Sequence, residues 1–117
     1  VDFISVYAAD FGLLDENLHG YSNYRFSEYP ARKRLVSSAL KGLLLDGNIR
    51  FQPVPTGYKY FITDAGKSIC KKLTSNYANE YRIAVQTVIK SFDNANTELM
   101  LRGINRLTIQ SLEGGQA

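Results

Sequence analysis

His19 is the only histidine and Cys70 the only cysteine in the chain, so the residue types that most often ligate a transition metal or serve as base and nucleophile occur once each. A zinc site needs three or four ligands at motif spacing. The stretch "NLHG" around His19 supplies no second histidine or cysteine, and His19 reads instead as a turn residue packed on neighbouring tyrosines. Cys70 falls on the expected inward side of its helix, as a small buried hydrophobe with no histidine base indicated nearby. No glycine-rich phosphate loop and no paired-carboxylate motif is visible. The reading is therefore of a chain that is not an enzyme, with no catalytic residue, no metal and no cofactor.

The remaining chemistry is contact with phosphates and base edges, for which "PARKRLVSSALKGLLLDGNIRF", Pro30 to Phe51, is the candidate. At ~100° per residue the apolar stripe of this segment centres between Val36 and Leu43. Arg32 falls inside the stripe, Lys33 on its flank, and only Arg34 points away. The outward face of Arg34, Ser37, Ser38, Lys41 and Leu45 could touch DNA but carries two positive charges. Arg50 and Lys59 add two more, whereas Gln52 to Gly57 contains no Lys or Arg to enter a minor groove. Direct DNA contact is expected to be weak and nonspecific. Arg32 is expected to turn inward, to a carboxylate such as Glu28, Asp10 or Glu16, because a buried guanidinium normally finds a bidentate partner.

These residues need elements to hold them. The spacing of Phe3, Ile4, Val6, Tyr7, Ala8 and Phe11 predicts a buried helix over Asp2 to Phe11, ended by Gly12. Leu13 to Phe26 is rich in turn formers and reads as a loop. Ser27 is the expected N-cap of a helix from Pro30 to Asp46, closed by Gly47. Ile49 to Val54 and Tyr58 to Ile62, joined by Pro55-Thr56-Gly57, read as a hairpin. Thr63 or Asp64 then caps a helix through Leu73 with Ala65, Ile69, Cys70 and Leu73 inward. Ser75 caps another, striped by Tyr77, Tyr81, Ala84, Val85, Val88 and Phe92. After Asn94 or Asn96 a last helix runs from Glu98 to about Leu112.

Helix, hairpin, helix is the order of a winged helix, and "LVSSALKGLLLDGNIRFQPVPTGYKYFITDAGKSICKKL" resembles the core of MarR-like and PadR-like winged-helix proteins. The expected fold class is α+β, mostly α: one winged-helix domain with a hairpin wing and C-terminal helices over residues 1–113, then a flexible tail over 114–117. In the last helix Leu99, Met100, Leu101, Ile104, Leu107, Ile109 and Leu112 spread over more than half the circumference, too wide for one domain face to cover. Leu99, Leu101, Ile104, Leu107 and Ile109 are thus expected to be structural or interface residues, together with Arg32 and His19.

The bulk numbers agree with one globular domain. At 117 residues, 44% hydrophobic and 21% charged, the chain suits a single core. No apolar run approaches the ~18 residues of a membrane span. A single cysteine excludes an internal disulfide, and with no visible signal peptide the cytoplasm is the expected compartment. The net charge of +3 decides nothing by itself.

Taken in order, the landmarks resemble the middle component of bacterial ABC-three-component systems, including Lamassu-type anti-phage defence. "NLHGYSNYRFSEYPARKRLV" is similar to that family's Ser-Leu-His-Pro, polar-aromatic loop, glutamate and arginine pair opening a long helix. "GNI", a tyrosine-rich hairpin and "LTSNYANEYRIAV" follow, the last similar to its Leu-x-Ser-x-Tyr-Ala segment. Gly20 stands where the pattern has proline, and Lys33 where it has the second arginine. The resemblance implies a non-enzymatic adaptor held in a hetero-complex between an SMC-like ATPase and an effector, often a nuclease. The competing reading is a dimeric MarR-like or PadR-like transcription regulator with its DNA face on Arg34, Ser37, Ser38 and Lys41.

Overall fold

The computed structural model describes residues 1–92 and 96–115. Its elements are α1 (Asp2–Val6), a 3-10 turn (Arg25–Glu28), α2 (Tyr29–Leu45), β1 (Ile49–Val54), β2 (Gly57–Ile62), α3 (Asp64–Lys72), α4 (Asn76–Ser91) and α5 (Thr97–Gly115). The fold is α+β and mostly helical, with one antiparallel hairpin and C-terminal helices.

The first helix is shorter than its apolar spacing predicts, because its next carbonyl and amides are bonded elsewhere. The Val6 carbonyl accepts from the His19 amide at 3.0 Å. The Asn17 side chain accepts from the Ala9 and Asp10 amides at 2.8 and 3.2 Å, and donates to the Asp10 carboxylate and the Gly20 carbonyl. A buried amide that satisfies four partners fixes the loop better than another helical turn would. The chain therefore turns at Tyr7 and continues irregularly to Gly12.

The core lies where α1 packs on α4, with α5 against the 3-10 turn. Phe3, Ile4, Val6, Tyr7, Phe26, Val88, Met100 and Ile104 form one buried cluster. Within it Phe3 makes edge-to-face contacts with Tyr7, Phe26 and Tyr29, the geometry that ring quadrupoles favour. On α4, Ala84 and Val88 are buried, and Ser75 accepts from the Ala78 amide at 3.1 Å as the expected cap. Asn96 caps α5 by accepting from Leu99, while Asn94, the other candidate, lies outside the described residues. The helix runs past Leu112 through Gly115, into the stretch expected as tail, and residues 116 and 117 lie outside the described residues.

Ser27 does not cap α2. Its hydroxyl donates back to the Tyr24 carbonyl, and the helix starts at Tyr29 behind Glu28, whose carboxylate is taken by the Tyr7 hydroxyl. At the other end Gly47 adopts a φ of 73°, and the amides of Gly47 and Asn48 return to Leu44 and Leu43. This closing turn needs a residue without a side chain.

In the hairpin Ile49 pairs with Ile62, Phe51 with Tyr60 and Pro53 with Tyr58, so one face is entirely apolar. The other carries Arg50, Gln52 and Lys59 with Phe61. α3 packs only by its first turn. Thr63 accepts from the Gly66 amide and donates to the Gly47 carbonyl, and Gly66 sits against the Asn48 carbonyl and the Ile62 side chain. Beyond that turn no described residue buries the helix: Ala65, Ile69, Cys70 and Leu73, expected inward, are all exposed.

A Cβ at Gly66 would overlap both the Asn48 carbonyl and Ile62. Gly66→Ala should therefore destabilise by about 1–3 kcal/mol, with amide exchange rising in α3 and β2 while α1, α4 and α5 stay protected. Ile4→Ala, in the fully buried cluster, should cost about 2–5 kcal/mol and expose all of them together.

Candidate functional site

Asp2 is the point where three elements meet. Arg32 of α2 donates to it through Nε and Nη2 at 2.9 and 2.7 Å, and Tyr81 of α4 donates its hydroxyl at 2.7 Å. Asp2, Arg32 and Tyr81 thus tie α1, α2 and α4 together. The side chains of Arg32 and Asp2 are only 19% and 14% exposed. Burial alone would raise the Asp2 carboxyl, but the bonds from Arg32 and Tyr81, with the guanidinium charge, outweigh it and hold the group below its ordinary range. Burial, then the bond to Asp2, pushes the Tyr81 phenol up. The carboxylates proposed for Arg32 from sequence are placed otherwise: Glu28 accepts from Tyr7, Asp10 pairs with Arg25, and Glu16 accepts from Tyr21.

Arg25, not singled out from sequence, makes the second largely buried ion pair, donating Nε and Nη2 to Asp10 at 2.7 and 3.0 Å. Its guanidinium also lies 5.0 Å from the Phe26 ring centre. His19 is against tyrosines: its ring stands edge-on to Tyr7, and Nε2 is 2.7 Å from the Tyr77 hydroxyl. Tyr77 in turn stacks on Tyr81. Burial, then the bond to Glu28 and its charge, pushes Tyr7 up to about 12.

The residues considered for DNA sit on two elements, α2 and the hairpin. Arg34, Ser38 and Lys41 are exposed on the outer side of α2, whereas Ser37 lines a groove on the inner side. Arg50 and Lys59 share the polar face of the hairpin, opposite the face bearing Tyr60. On α5, Met100 and Ile104 are buried in the core and Leu107 packs beside them, while Leu99, Leu101, Ile109 and Leu112 remain exposed. The groove, of about 620 Å³, lies between α2 and α5, with Tyr60 at one edge. Among the described residues no three His, Cys, Asp or Glu side chains cluster to hold a metal ion, and no helix is long and apolar enough to cross a membrane.

Two measurements follow from the network. Arg32→Ala leaves Asp2 inside the fold without its counter-ion and should cost about 3 kcal/mol, while Arg34→Ala, outward and without an ion-pair partner among the described residues, should cost under ~0.5; denaturant midpoints compare them. The pH dependence has two sides. With its folded pKa depressed, Asp2 contributes stability above the unfolded aspartate value, and this is lost as pH falls below about 4. With their folded pKa values raised, Tyr7 and Tyr81 contribute fully below about pH 10, and this is lost as pH rises beyond it. Tyr7→Phe should flatten the alkaline limb, read from tyrosinate absorbance alongside circular dichroism.

Neither the curated proteins nor the solved structures contain a match to this chain. The family model for the ABC-three component (ABC-3C) system Middle Component 2 matches residues 1–114, through the Asp2 network, the hairpin and nearly all of α5. With the match spanning almost its whole length, the chain belongs to the Middle Component 2 family of ABC-three-component systems.

Proposed function

We propose that the chain is a non-enzymatic adaptor of an anti-phage defence complex of Lamassu type, acting in the cytoplasm and coupling an SMC-like ATPase to an effector nuclease. The observation that carries this reading is the double face of α5. One side, Met100 and Ile104, is buried by the chain's own core, and a second, with Leu101, Ile109 and Leu112, is open. A helix apolar over two faces needs a second cover, and for a component of a multi-component system the natural cover is another component. Among the described residues His19 is engaged with Tyr77, and Cys70 is a lone exposed thiol.

In this reading α5 docks on the ATPase, and the helix, hairpin, helix order of α2 to α3 is a winged-helix module turned to protein contact. Its outward cations, Arg34, Lys41, Arg50 and Lys59, lend weak and nonspecific DNA contact. About four phosphate contacts imply a log-log salt slope near −3.6.

Co-expression with the ATPase encoded beside it, followed by light scattering, tests the assignment. A hetero-complex is expected for the wild type, and its loss for Ile109→Asp combined with Leu112→Asp, since unpaired charge in an apolar interface costs several kcal/mol. Circular dichroism should show both forms equally helical. A stable homodimer that ignores the ATPase would overturn the adaptor reading in favour of a regulator.

A further inference from the structure

The net charge of +3 conceals a separation. Residues 29–73, from α2 through the hairpin to α3, hold nine Lys or Arg against two Asp or Glu, a net of +7, while the rest of the chain holds five against nine, a net of −4. Within that lobe Arg32 alone has an ion-pair partner among the described residues. The other eight cations are exposed. The same lobe is poorly covered: its only buried residues are Asn48 and Gly66. Charge and open apolar surface coincide at the groove, where Val36 and Leu40 of α2, Tyr60 of β2 and Leu101 of α5 surround a floor that includes Phe3, and the unpaired Lys33 stands in the wall.

We infer that this groove takes an acidic amphipathic helix from a different chain, its apolar stripe on Val36, Leu40, Tyr60 and Leu101 and its carboxylates toward Lys33 and the surrounding basic lobe. Three occupants can be compared on these features. A nucleic acid would neutralise the cations but leave the aliphatic groove unfilled, because phosphates and sugars do not replace buried apolar contact. A second copy meeting the same surface across a two-fold axis would set +7 against +7, and repulsion between like charges costs several kcal/mol. Nor does the acidic end of a second copy supply what is missing. Of its carboxylates Asp2, Asp10 and Glu28 are already bonded within the chain. An apolar stripe flanked by carboxylates satisfies both the groove and the charge, in the manner of helix-in-groove recognition. Of the lobe's unpaired cations Lys33 lines the groove and acts on it directly, since screening over ~8–10 Å weakens charges farther off.

The inference rests on the chain being one subunit among unlike partners, but its test uses the purified full chain and can fail while α5 docking stands. Two labelled peptides of about four helical turns, with one leucine stripe and either Glu or Lys at the remaining positions, are titrated by fluorescence anisotropy beside a labelled DNA duplex. The Glu peptide should bind at least about tenfold more tightly than the Lys peptide, and weaken as salt rises. Lys33→Glu should weaken it several-fold, as should Tyr60→Ala, whereas Lys90→Glu, an exposed cation of α4 outside the lobe, should leave it unchanged. Equal binding of the two peptides would overturn the inference, as would equal effects of Lys33→Glu and Lys90→Glu. So would a DNA duplex that binds more tightly than the Glu peptide, or self-association in sedimentation that Tyr60→Ala abolishes.

Discussion

The carboxylate of Asp2 is the constraint on which the arrangement depends. It comes from the shortest helix, α1, which could not persist in isolation at five residues. Its two oxygens hold Arg32 in a bidentate grip and receive the Tyr81 hydroxyl, so a single side chain fixes the direction of α2 and α4 relative to the buried segment Phe3 to Tyr7. The apolar cluster provides the larger share of the driving force, but it does not by itself set the angle at which α2 leaves the body. A charged pair with fork geometry does, because misalignment leaves a largely buried charge unsatisfied. Arg25 and Asp10 repeat the device on the next loop.

That angle explains the two-part character of the molecule. α1, α4 and α5 share one core, while α2, the hairpin and α3 project from it with almost nothing buried among them. A two-stranded hairpin is marginal alone, and α3 is attached by one turn. The lobe keeps its shape through a few specific contacts near Asn48: the Asn48 carbonyl accepts from Thr63, and Gly66 fits beneath it. Glycine at that place is required by the close approach of backbone to backbone, not by conformation.

Much of this was legible in the sequence where periodicity spoke. α2, the hairpin, α4 and α5 stand within a few residues of where apolar spacing and turn chemistry place them, and Thr63, Ser75 and Asn96 cap as their types suggest. What failed did so for identifiable reasons. The apolar run after Val6 looks helical, yet the side chain of Asn17, eight residues or so downstream, competes for the same amides. Ser27 has the right chemistry for a cap but spends its hydroxyl on Tyr24. The inward stripe of α3 is genuine as a pattern, and its mistake lies in assuming that a stripe is always covered by its own chain. For Arg32, helical angle could say inward but could not say which carboxylate waits there; Asp2 is thirty positions away and was assigned only to a helix end. The charge separation was visible all along and was lost by summing it over the whole chain.

An unpartnered stripe and an uncompensated charge are usually treated as separate defects of a fold. Here they lie on the same lobe, and each limits what can repair the other. Apolar faces such as those of Ile69, Leu73 and the Phe51–Tyr60 pair argue for protein cover, since removing them from water stabilises by about 25 cal/mol per Å². A net of +7 argues against covering them with another copy of the same surface. Family membership adds that other components exist. The core is closed around α1 by the chain's own residues, whereas the projecting lobe, both sticky and basic, is completed by an unlike chain that brings apolar residues and carboxylates together.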